Sequence, residues 1–298
     1  MLLVCGGAAD PNIRCLLEAA ARKRVPTLPL VFGSTSAISL HWDVNRDRLL
    51  LNRRASRVRA AFVRYDVFTP TRAGGPDSDQ RSHAWYAAVE GWLSCRRSVA
   101  RLNQRAASTI WKPQQLHAAI RCGLTVPKTV VSNDTREIRS WIGRNAAIAK
   151  PVGGGEYTQR LDTVLAGTEI RNKRAAAPAI VQEELIAPDV RVFGVGASQI
   201  AFQIESSMLD YREDQACRIA LEPRPPRRLL NALARLARTL KLDFYAADFK
   251  TCARTGELLF LEINNAPMFA AFDAVADGAL CSAILRTLTP RTLRSRTS

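Results

Sequence analysis

The chain has 298 residues, of which 47% are hydrophobic and 23% are charged, and its net charge at pH 7 is +16. This length suits one large domain or two to three small ones, and the hydrophobic content argues against a globally disordered chain. No apolar run in the sequence is long enough to span a membrane, and the apolar N-terminal run stops at Gly6-Gly7, so neither a membrane span nor a signal peptide is predicted.

The positive charge raises the question of a nucleic-acid partner, because lysine and arginine neutralise phosphates. The basic residues are spread from Arg14 to Arg296, however, and neither zinc-finger spacing nor an RNA-recognition signature accompanies them. Nucleic acid is therefore not expected as the primary partner. The same positive field can equally attract nucleotides and acidic substrates.

The sequence contains seven cysteines, an odd number, and no C-x-x-C pair. This pattern predicts neither a disulfide framework nor a zinc site, and three isolated histidines add no metal cluster. We expect a reducing, cytoplasmic location.

Residues 1 to about 66 alternate between strand and helix patterns, which is typical of an α/β domain. A strand at 2–4 is followed by Gly6-Gly7, interpreted as a tight turn, and by Asp10-Pro11, an N-cap with proline at the first helical position. Further strands are predicted at 28–32, 38–42, 48–51 and 60–64. After them come a loop over 69–82 and an amphipathic helix over 83–102.

The next segment places a lysine directly before a run of glycines. A helix is predicted to end at Gly123, and a capping box at Asp134-x-x-Glu137 predicts the start of another. A strand is then predicted at 146–149, and Lys150 follows it directly. Gly153, Gly154 and Gly155 follow, and the N–H groups of such a loop can approach a phosphate closely. The segment is not a P-loop, because it lacks G-K-[ST], and a plain turn is the alternative interpretation.

Asp189 and Arg191 lie two residues apart in an extended segment, so they face the same side of it. A surface ion pair at a sheet edge is the alternative interpretation. A core-packing helix is indicated by leucines at helical spacing, at positions 229, 233, 236 and 240.

Two stretches near the C-terminus, 246–250 and 259–267, are predicted as strands and are joined by a turn that contains Gly256. If the hairpin closes symmetrically about Thr255, Asp248 lies opposite Glu262, and Asn264 shares the face of Glu262. Three oxygen donors from two rigid strands predict a hard-cation site, with Mg²⁺ as its usual occupant. The alternative is that the carboxylates face solvent, against which Glu262 follows a run of four apolar residues.

Only seven of the 43 basic residues are lysines. Because arginine is used wherever either base would serve, the lysines at positions 112 and 150 indicate that a compact ammonium is required there.

Taken in order, these residues form a set that resembles the ATP-grasp superfamily, and its RimK-like branch in particular (ribosomal-protein glutamate ligase relatives). The set consists of Lys112, Lys150 with its glycines, Gln182-Glu183, Asp189-x-Arg191, Asp248 and Glu262-x-Asn264. The match covers roughly residues 103–275. Segments such as Leu209-Asp210-Tyr211-Arg212 also look like the related maturases that install ester or amide cross-links in ribosomal peptides.

The resemblance implies an α/β (α+β) ATP-grasp fold, in which two α+β subdomains grip a nucleotide after an N-terminal α/β pre-ATP-grasp domain. The implied boundaries are 1–102 for the pre-ATP-grasp domain, 103–190 for the subdomain with phosphate lid and hinge, 191–288 for the subdomain with the metal site, and 289–298 for a basic tail.

The implied cofactors are ATP and Mg²⁺, with two ions expected and Mn²⁺ able to substitute. The residues implied to bind the nucleotide are Lys112, Lys150, Gly153, Gly154, Gly155, Gln182, Glu183, Glu184, Leu185 and Asp189. The implied metal ligands are Asp248, Glu262 and Asn264, and Arg191 and Arg212 are implied to face the transferred phosphate.

The implied activity is that of a carboxylate–amine ligase, which forms an amide through an acyl-phosphate and releases ADP and phosphate. A ribosomal-peptide maturase that joins side chains through esters or amides is the alternative, and a non-catalytic nucleotide or RNA binder is the second alternative. The continuation Asn265-Ala266-Pro267-Met268-Phe269 follows the N-x-x-P form of the RimK-like ligases, which favours the first. The implied partners are a carboxylate and an amine or hydroxyl nucleophile, in a small molecule or a peptide, and the branch often forms homo-oligomers. Asp248→Asn and Glu262→Gln are expected to abolish turnover with little loss of folding.

Overall fold

The computed structural model describes residues 1–33, 38–55, 57–68, 76–107, 109–143, 145–153, 157–214, 216–222 and 224–290. They form two compact units, one of residues 1–104 with the segment from Met268 onward and one of Arg105–Pro267. In the parts described, no helix has the length and hydrophobicity to cross a membrane.

The first unit is built on a parallel sheet of order β2-β1-β6-β7 and a small antiparallel sheet of order β3-β4-β5. Its strands are β1 (Leu2–Gly7), β2 (Thr27–Phe32), β3 (Leu40–Asp43), β4 (Arg48–Leu51), β5 (Arg54–Ala55), β6 (Ala60–Val63) and β7 (Ala100–Arg101). Its helices are α1 (Pro11–Arg22), α2 (Pro76–Ser94), α7 (Ala270–Val275) and α8 (Ala279–Leu288).

The turn predicted at Gly6-Gly7 is wrong, because both glycines continue β1 and pair with Val31 and Phe32. Glycine is needed there for close approach: a Cβ on Gly7 would lie 2.1 Å from the carboxylate of Asp66. The α/β class and the cap at Asp10 are confirmed, since the Asp10 side chain accepts from the Asn12 N–H.

The helix predicted over 83–102 instead begins at Pro76 and ends at Ser94, so part of the predicted loop is helical. The remainder of that loop, 69–75, lies outside the described residues. Trp92 is buried in the core of this unit, and Trp85 packs against the same core.

The segment after Met268 packs in the first unit, whereas the sequence assigned 191–288 to one C-terminal subdomain. The local reason is Asn12, whose buried side-chain oxygen accepts from the N–H groups of Phe269 at 2.6 Å and Ala270 at 2.9 Å. These bonds tie the start of α7 to α1. Positions 291–298 of the expected basic tail lie outside the described residues.

The second unit contains two five-stranded sheets. The first has the order β10-β9-β12-β11 with β8 also paired to β12, and the second has the order β15-β14-β13-β16-β17. The strands of the first sheet are β8 (Thr129–Asp134), β9 (Ala147–Pro151), β10 (Gln159–Arg160), β11 (Ile170–Arg171) and β12 (Arg174–Glu183). Those of the second are β13 (Ile186–Val195), β14 (Ser198–Glu205), β15 (Arg218–Leu221), β16 (Phe244–Thr251) and β17 (Leu258–Asn264).

The helices of this unit are α3 (Lys112–Arg121), α4 (Thr135–Ile142), α5 (Leu161–Gly167) and α6 (Arg227–Thr239), with a 3-10 turn at Tyr211–Glu213. The N-cap at Asp134 is confirmed, because its side chain accepts from the N–H groups of Arg136 and Glu137. The reciprocal bond of the predicted capping box is replaced, since the N–H of Asp134 donates to the Ser132 hydroxyl at 3.0 Å. The predicted core helix is also confirmed as α6, with Leu233 and Leu236 fully buried.

One face of the second sheet packs on α3 and α6. Val190, Val192, Ala247, Phe249 and Phe260 belong to this core. Since side chains alternate along a strand, Asp189, Arg191 and Asp248 project from the opposite face. The sheet therefore separates a hydrophobic core from a polar face.

Candidate active site

The hairpin of β16 and β17 places Asp248 opposite Glu262 and Ala246 opposite Asn264, as predicted. Nearer the turn the register shifts by one residue, so that Phe249 pairs with Phe260 and Leu261 is extra. This bulge lets Phe260 and Ile263 both face the core although they are three residues apart. The predicted symmetric register is therefore correct for Asp248 with Glu262 and for Ala246 with Asn264, and it is wrong next to the turn.

The carboxylates of the hairpin do not face solvent, because the side chains of Asp248 and Glu262 are only 13% and 24% exposed. The amide nitrogen of Asn264 donates to Oε1 of Glu262 at 3.3 Å, which leaves the amide oxygen of Asn264 as an acceptor. Two carboxylates and an amide oxygen on one face form the oxygen-rich donor set that Mg²⁺ prefers. The residues present therefore fit a hard divalent cation.

Lys112 is the first residue of α3, and its Nζ lies 3.0 Å from Oε2 of Glu262. A cation at a helix N-terminus opposes the helix dipole, so this position indicates a role beyond helix stability. Gln115, one turn further on, is buried and accepts from the backbone N–H of Ile263 at 2.9 Å. Its amide also donates to the carbonyl of Ile110, which fixes the start of α3 against β17. No sequence motif predicted this role of Gln115.

Arg191 donates from Nε and Nη2 to the two oxygens of Asp248, at 2.6 and 2.7 Å. The ring of Tyr211 lies 5.7 Å from the guanidinium carbon. β13 is the central strand of its sheet, so the alternative of a surface ion pair at an edge is wrong. Burial raises the pKa of Asp248 and the guanidinium of Arg191 opposes that rise, while Asp248 raises the pKa of Arg191 against the effect of burial.

A second ion pair spans the same two strands, where Lys250 Nζ lies 2.9 Å from Oδ2 of Asp189. Lys250 also donates to the carbonyl of Leu209 at 3.2 Å. Burial raises the pKa of Asp189, and the bond from Lys250 opposes the rise. No role was predicted for Lys250, although the scarcity of lysine in the chain and the position of Lys250 in an apolar strand were signals.

Lys150 lies near the end of β9, in the other sheet, and lines the same cleft as Lys112 and Glu262. Burial lowers its pKa to about 8, with Glu262 acting in the opposite direction and Lys112 reinforcing the decrease. The side chain is thus poised to gain stability from an anion in the cleft.

Arg212 lies in the 3-10 turn and donates to both oxygens of Asp210, at 2.8 and 2.5 Å. Its guanidinium carbon also lies 5.4 Å from the centre of the Tyr157 ring. Burial tends to raise the pKa of Asp210, but the bonds from Arg212 dominate and hold that pKa at about 2. The side chain of Arg212 is half-exposed, so its charge remains available to a ligand.

Most of these groups line one cleft of about 750 Å³ of empty space, counting the solvent at its mouth, but Gln115, Arg191 and Asn264 are not among its lining residues. The cleft has apolar walls at Ile148, Leu185 and Leu261 and charged groups elsewhere, which suits an amphipathic molecule such as a nucleotide. Eight of the residues that were predicted to bind a nucleotide or metal line the cleft: Lys112, Lys150, Gln182, Glu183, Leu185, Asp189, Asp248 and Glu262.

The predicted hinge residues have partners of their own. Gln182 donates to the Thr129 hydroxyl at 2.9 Å, and the Glu183 carboxylate accepts from the Lys128 N–H at 2.8 Å. Glu184 is paired with Arg160 at 3.0 Å and is not among the residues that line the cleft. The side-chain bonds fix the strand end and leave Leu185 directed toward the cleft.

A second cavity adjoins the first and shares Lys112, Arg212 and Glu262 with it. Gly153 and Asn264 line this second cavity. Gly154 and Gly155 of the predicted phosphate lid lie outside the described residues.

No protein-family model matches the sequence, and no curated protein matches it either. Solved structures identify the fold as that of the ATP-grasp ligases, which confirms the predicted fold. The chain is similar to the ATP-grasp ligase PsnB complexed with minimal precursor, Mg and ADP, with a TM-score of 0.71 and 25% identity over 96% of this chain and 97% of that one.

Two further solved structures share this fold. One is a RiPP-associated ATP-grasp ligase of Chryseobacterium gregarium in complex with ADP and a leader and core peptide, with a TM-score of 0.71 and 17% identity over 97% of this chain and 96% of that one. The other is the macrocyclase MdnC of Microcystis aeruginosa MRC bound with precursor peptide MdnA, with a TM-score of 0.69 and 16% identity over 97% and 99%.

Proposed function

We propose that the protein is an ATP-dependent ligase that activates a carboxylate and joins it to a nucleophile. The observation that carries the proposal is the convergence of Lys112, Lys150 and Arg212 with Asp248 and Glu262 in one cleft. Such a set neutralises the charge of a triphosphate at one end, while apolar walls receive the base. The similarity to ATP-grasp structures with bound ADP supports the same proposal.

In the first step, an oxygen of the substrate carboxylate attacks the γ-phosphorus of ATP, and the bond to the bridging oxygen of ADP breaks. The acyl-phosphate and ADP result. Lys112, Lys150 and Arg212 bind phosphate oxygens and stabilise the charge that is transferred, which is the main catalytic requirement of phosphoryl transfer. Asp248, Glu262 and Asn264 would hold Mg²⁺, which neutralises phosphate charge when bound.

In the second step, the nucleophile attacks the carbonyl carbon of the acyl-phosphate, the bond from that carbon to the phosphate oxygen breaks, inorganic phosphate leaves, and the proton of the nucleophile passes to solvent. Arg212 is the cation best placed to stabilise the departing phosphate, because its side chain is half-exposed and lines both cavities. Arg191 acts through Asp248, since both of its bonded nitrogens hold that carboxylate in place. Two metal ions, and Mn²⁺ as a substitute, remain predictions.

A carboxylate–amine ligase of the RimK-like kind and a peptide maturase that forms side-chain esters or amides both use this chemistry. Peptides bound to the similar ligases favour a peptide as substrate here. The N-x-x-P segment favours the first kind, and the two remain alternatives. We also propose a reducing, cytoplasmic location and leave the oligomeric state as a prediction.

The test measures ADP release with ATP and Mg²⁺ in the presence of single carboxylates, carboxylate–amine pairs, and peptides rich in Asp or Glu together with Thr, Ser or Lys. A ligase of two molecules gives a product whose mass is their sum minus one water. A maturase gives a single peptide that has lost one water per bond.

Glu262→Gln serves as the inactive control, and Glu257→Gln, an exposed residue beyond the hairpin turn, as the matched active control. If salt-dependent RNA binding occurs while no substrate in the panel stimulates ADP release, the ligase proposal fails and the nucleic-acid alternative is favoured.

A further inference from the structure

Three metal-ligating side chains meet in the first unit, where helices from the two ends of the chain are packed together. Cys15 lies in α1, Asp273 in α7 and Cys281 in α8. The Cys15 sulfur is 3.1 Å from Oδ2 of Asp273 and 3.3 Å from the Cys281 sulfur. Cys15 is more than 250 positions away from Asp273 and Cys281, so the sequence, which predicted no zinc site, gave no indication of the cluster.

The cluster is held in place before any ion binds. Cys281 and Asp273 are buried, with 0% and 2% exposure, whereas Cys15 is half-buried and opens a route to solvent. Oδ1 of Asp273 accepts from the backbone N–H of Cys281 at 2.9 Å, which turns Oδ2 toward Cys15. This bond is the kind of outer support that orients ligands in metal sites.

We propose that Cys15, Asp273 and Cys281 bind one Zn²⁺ through two thiolates and one carboxylate, with water in the fourth position on the side of Cys15. The ligand atoms lie within 4.8 Å of one another. In a tetrahedral site with Zn–S bonds of about 2.3 Å, two sulfurs are about 3.8 Å apart, so each ligand needs to move by only a few tenths of an ångström. Binding releases the two thiol protons to solvent.

A disulfide is the competing use of the two cysteines, and the geometry favours it less. The sulfurs would have to approach from 3.3 Å to the bonding distance of about 2.05 Å. The carboxylate of Asp273, whose Oδ2 lies 3.1 Å from the Cys15 sulfur, places a negative charge beside the sulfurs that a disulfide does not use. A divalent cation, in contrast, is stabilised by the same negative charge.

The bound ion would fasten α7 and α8 to α1. This role is independent of the proposed ligase activity, because none of the three residues lines the cleft. The zinc site and the ligase function can therefore fail separately.

The test uses the full chain, purified under reducing conditions and dialysed against a chelator, and titrated with Co²⁺. We expect an intense thiolate-to-cobalt charge-transfer absorption that saturates at one ion per chain and is lost when Zn²⁺ is added. Mg²⁺-type oxygen sites bind Co²⁺ without that absorption, so the candidate active site does not interfere. Absence of the absorption in the folded wild-type protein overturns the proposal.

Cys15→Ala and Asp273→Asn identify the ligands, and Cys122→Ala, another half-buried cysteine, is the matched control. The first two should lose stoichiometric binding, and the control should keep it. Cys15→Ala removes a half-buried side chain, so it is the variant best able to fold, which circular dichroism verifies. Unchanged binding in a folded Cys15→Ala variant, or a Cys15–Cys281 disulfide in the unreduced protein by mass spectrometry, also overturns the proposal.

Discussion

Lys112 and Glu262 lie 3.0 Å apart, one at the first position of a helix and the other on the last strand of a sheet. The secondary structure of neither element favours the residue found there, because a lysine at this end opposes the helix dipole and a glutamate interrupts an apolar strand. Their contact depends on Gln115, which bonds to the strand backbone at Ile263. One amide side chain thus couples the positions of the lysine that we propose to bind phosphate and of the carboxylate that we propose to bind metal.

Gln115→Leu should weaken nucleotide binding as well as the fold. The substitution leaves the buried N–H of Ile263 without its acceptor, which costs about 1–3 kcal/mol of unfolding free energy. It also releases the start of α3, so nucleotide affinity should fall. Gln114→Leu on the exposed side of the same helix is the control. Urea denaturation and nucleotide titration give the two readouts, and equal behaviour of both variants would contradict the positioning role.

Asp248→Asn and Glu262→Gln should both abolish ADP release but differ in stability. Asp248 forms a bidentate pair with Arg191 in which both side chains are largely buried, so its loss should cost about 3 kcal/mol. Glu262 and Lys112 are each about one-quarter exposed, and their pair should contribute less than about 1 kcal/mol.

The structure thus revises, for Asp248, the expectation of little loss of folding. Thermal and urea unfolding of the two variants measure the difference. Equal destabilisation would show that the Arg191 pair is not the reason.

Nucleotide binding near pH 8 should be accompanied by proton uptake. Burial lowers the pKa of Lys150 from 10.5 to about 8, so about half of these side chains are neutral at pH 8 in the free protein. Bound phosphate favours the charged form, and about half a proton should be taken up per nucleotide at that pH. The uptake should decrease toward pH 6.5, where Lys150 is already protonated.

Calorimetry in two buffers of different ionisation enthalpy measures this uptake. Lys150→Arg, which is charged throughout, is the control and should lack the contribution. An uptake that is the same in both proteins would remove Lys150 as its source.

The pair of Lys250 and Asp189 should show strong coupling in a double-mutant cycle. Lys250→Met leaves a buried carboxylate without its partner and should cost about 3–5 kcal/mol, whereas Lys250→Met with Asp189→Leu should recover at least about 2 kcal/mol of that loss. The exposed pair of Arg171 and Glu169 provides the reference cycle, with no measurable coupling expected. Additive effects of the Lys250 and Asp189 substitutions would be inconsistent with the buried pair.

Local sequence patterns predicted the structure correctly wherever the two contacting residues are close along the chain. Asp10 and Asp134 cap helices that begin at the next residue, and Asp248 meets Glu262 through a turn of a few residues. In each case, backbone geometry leaves few alternatives, since side chains alternate along a strand and the first helical N–H groups need acceptors.

The sequence by itself therefore determined the acidic hairpin, the strand that delivers Lys150 and, through the order of these residues, the fold. Only the tertiary structure decided the bulge at Leu261 and the burial of Lys250. The same holds for the hydrogen bond between Gln115 and β17 and for the contact between the sulfurs of Cys15 and Cys281. These features depend on contacts between distant segments, and period and propensity carry no information about which distant side chain will fill a given space.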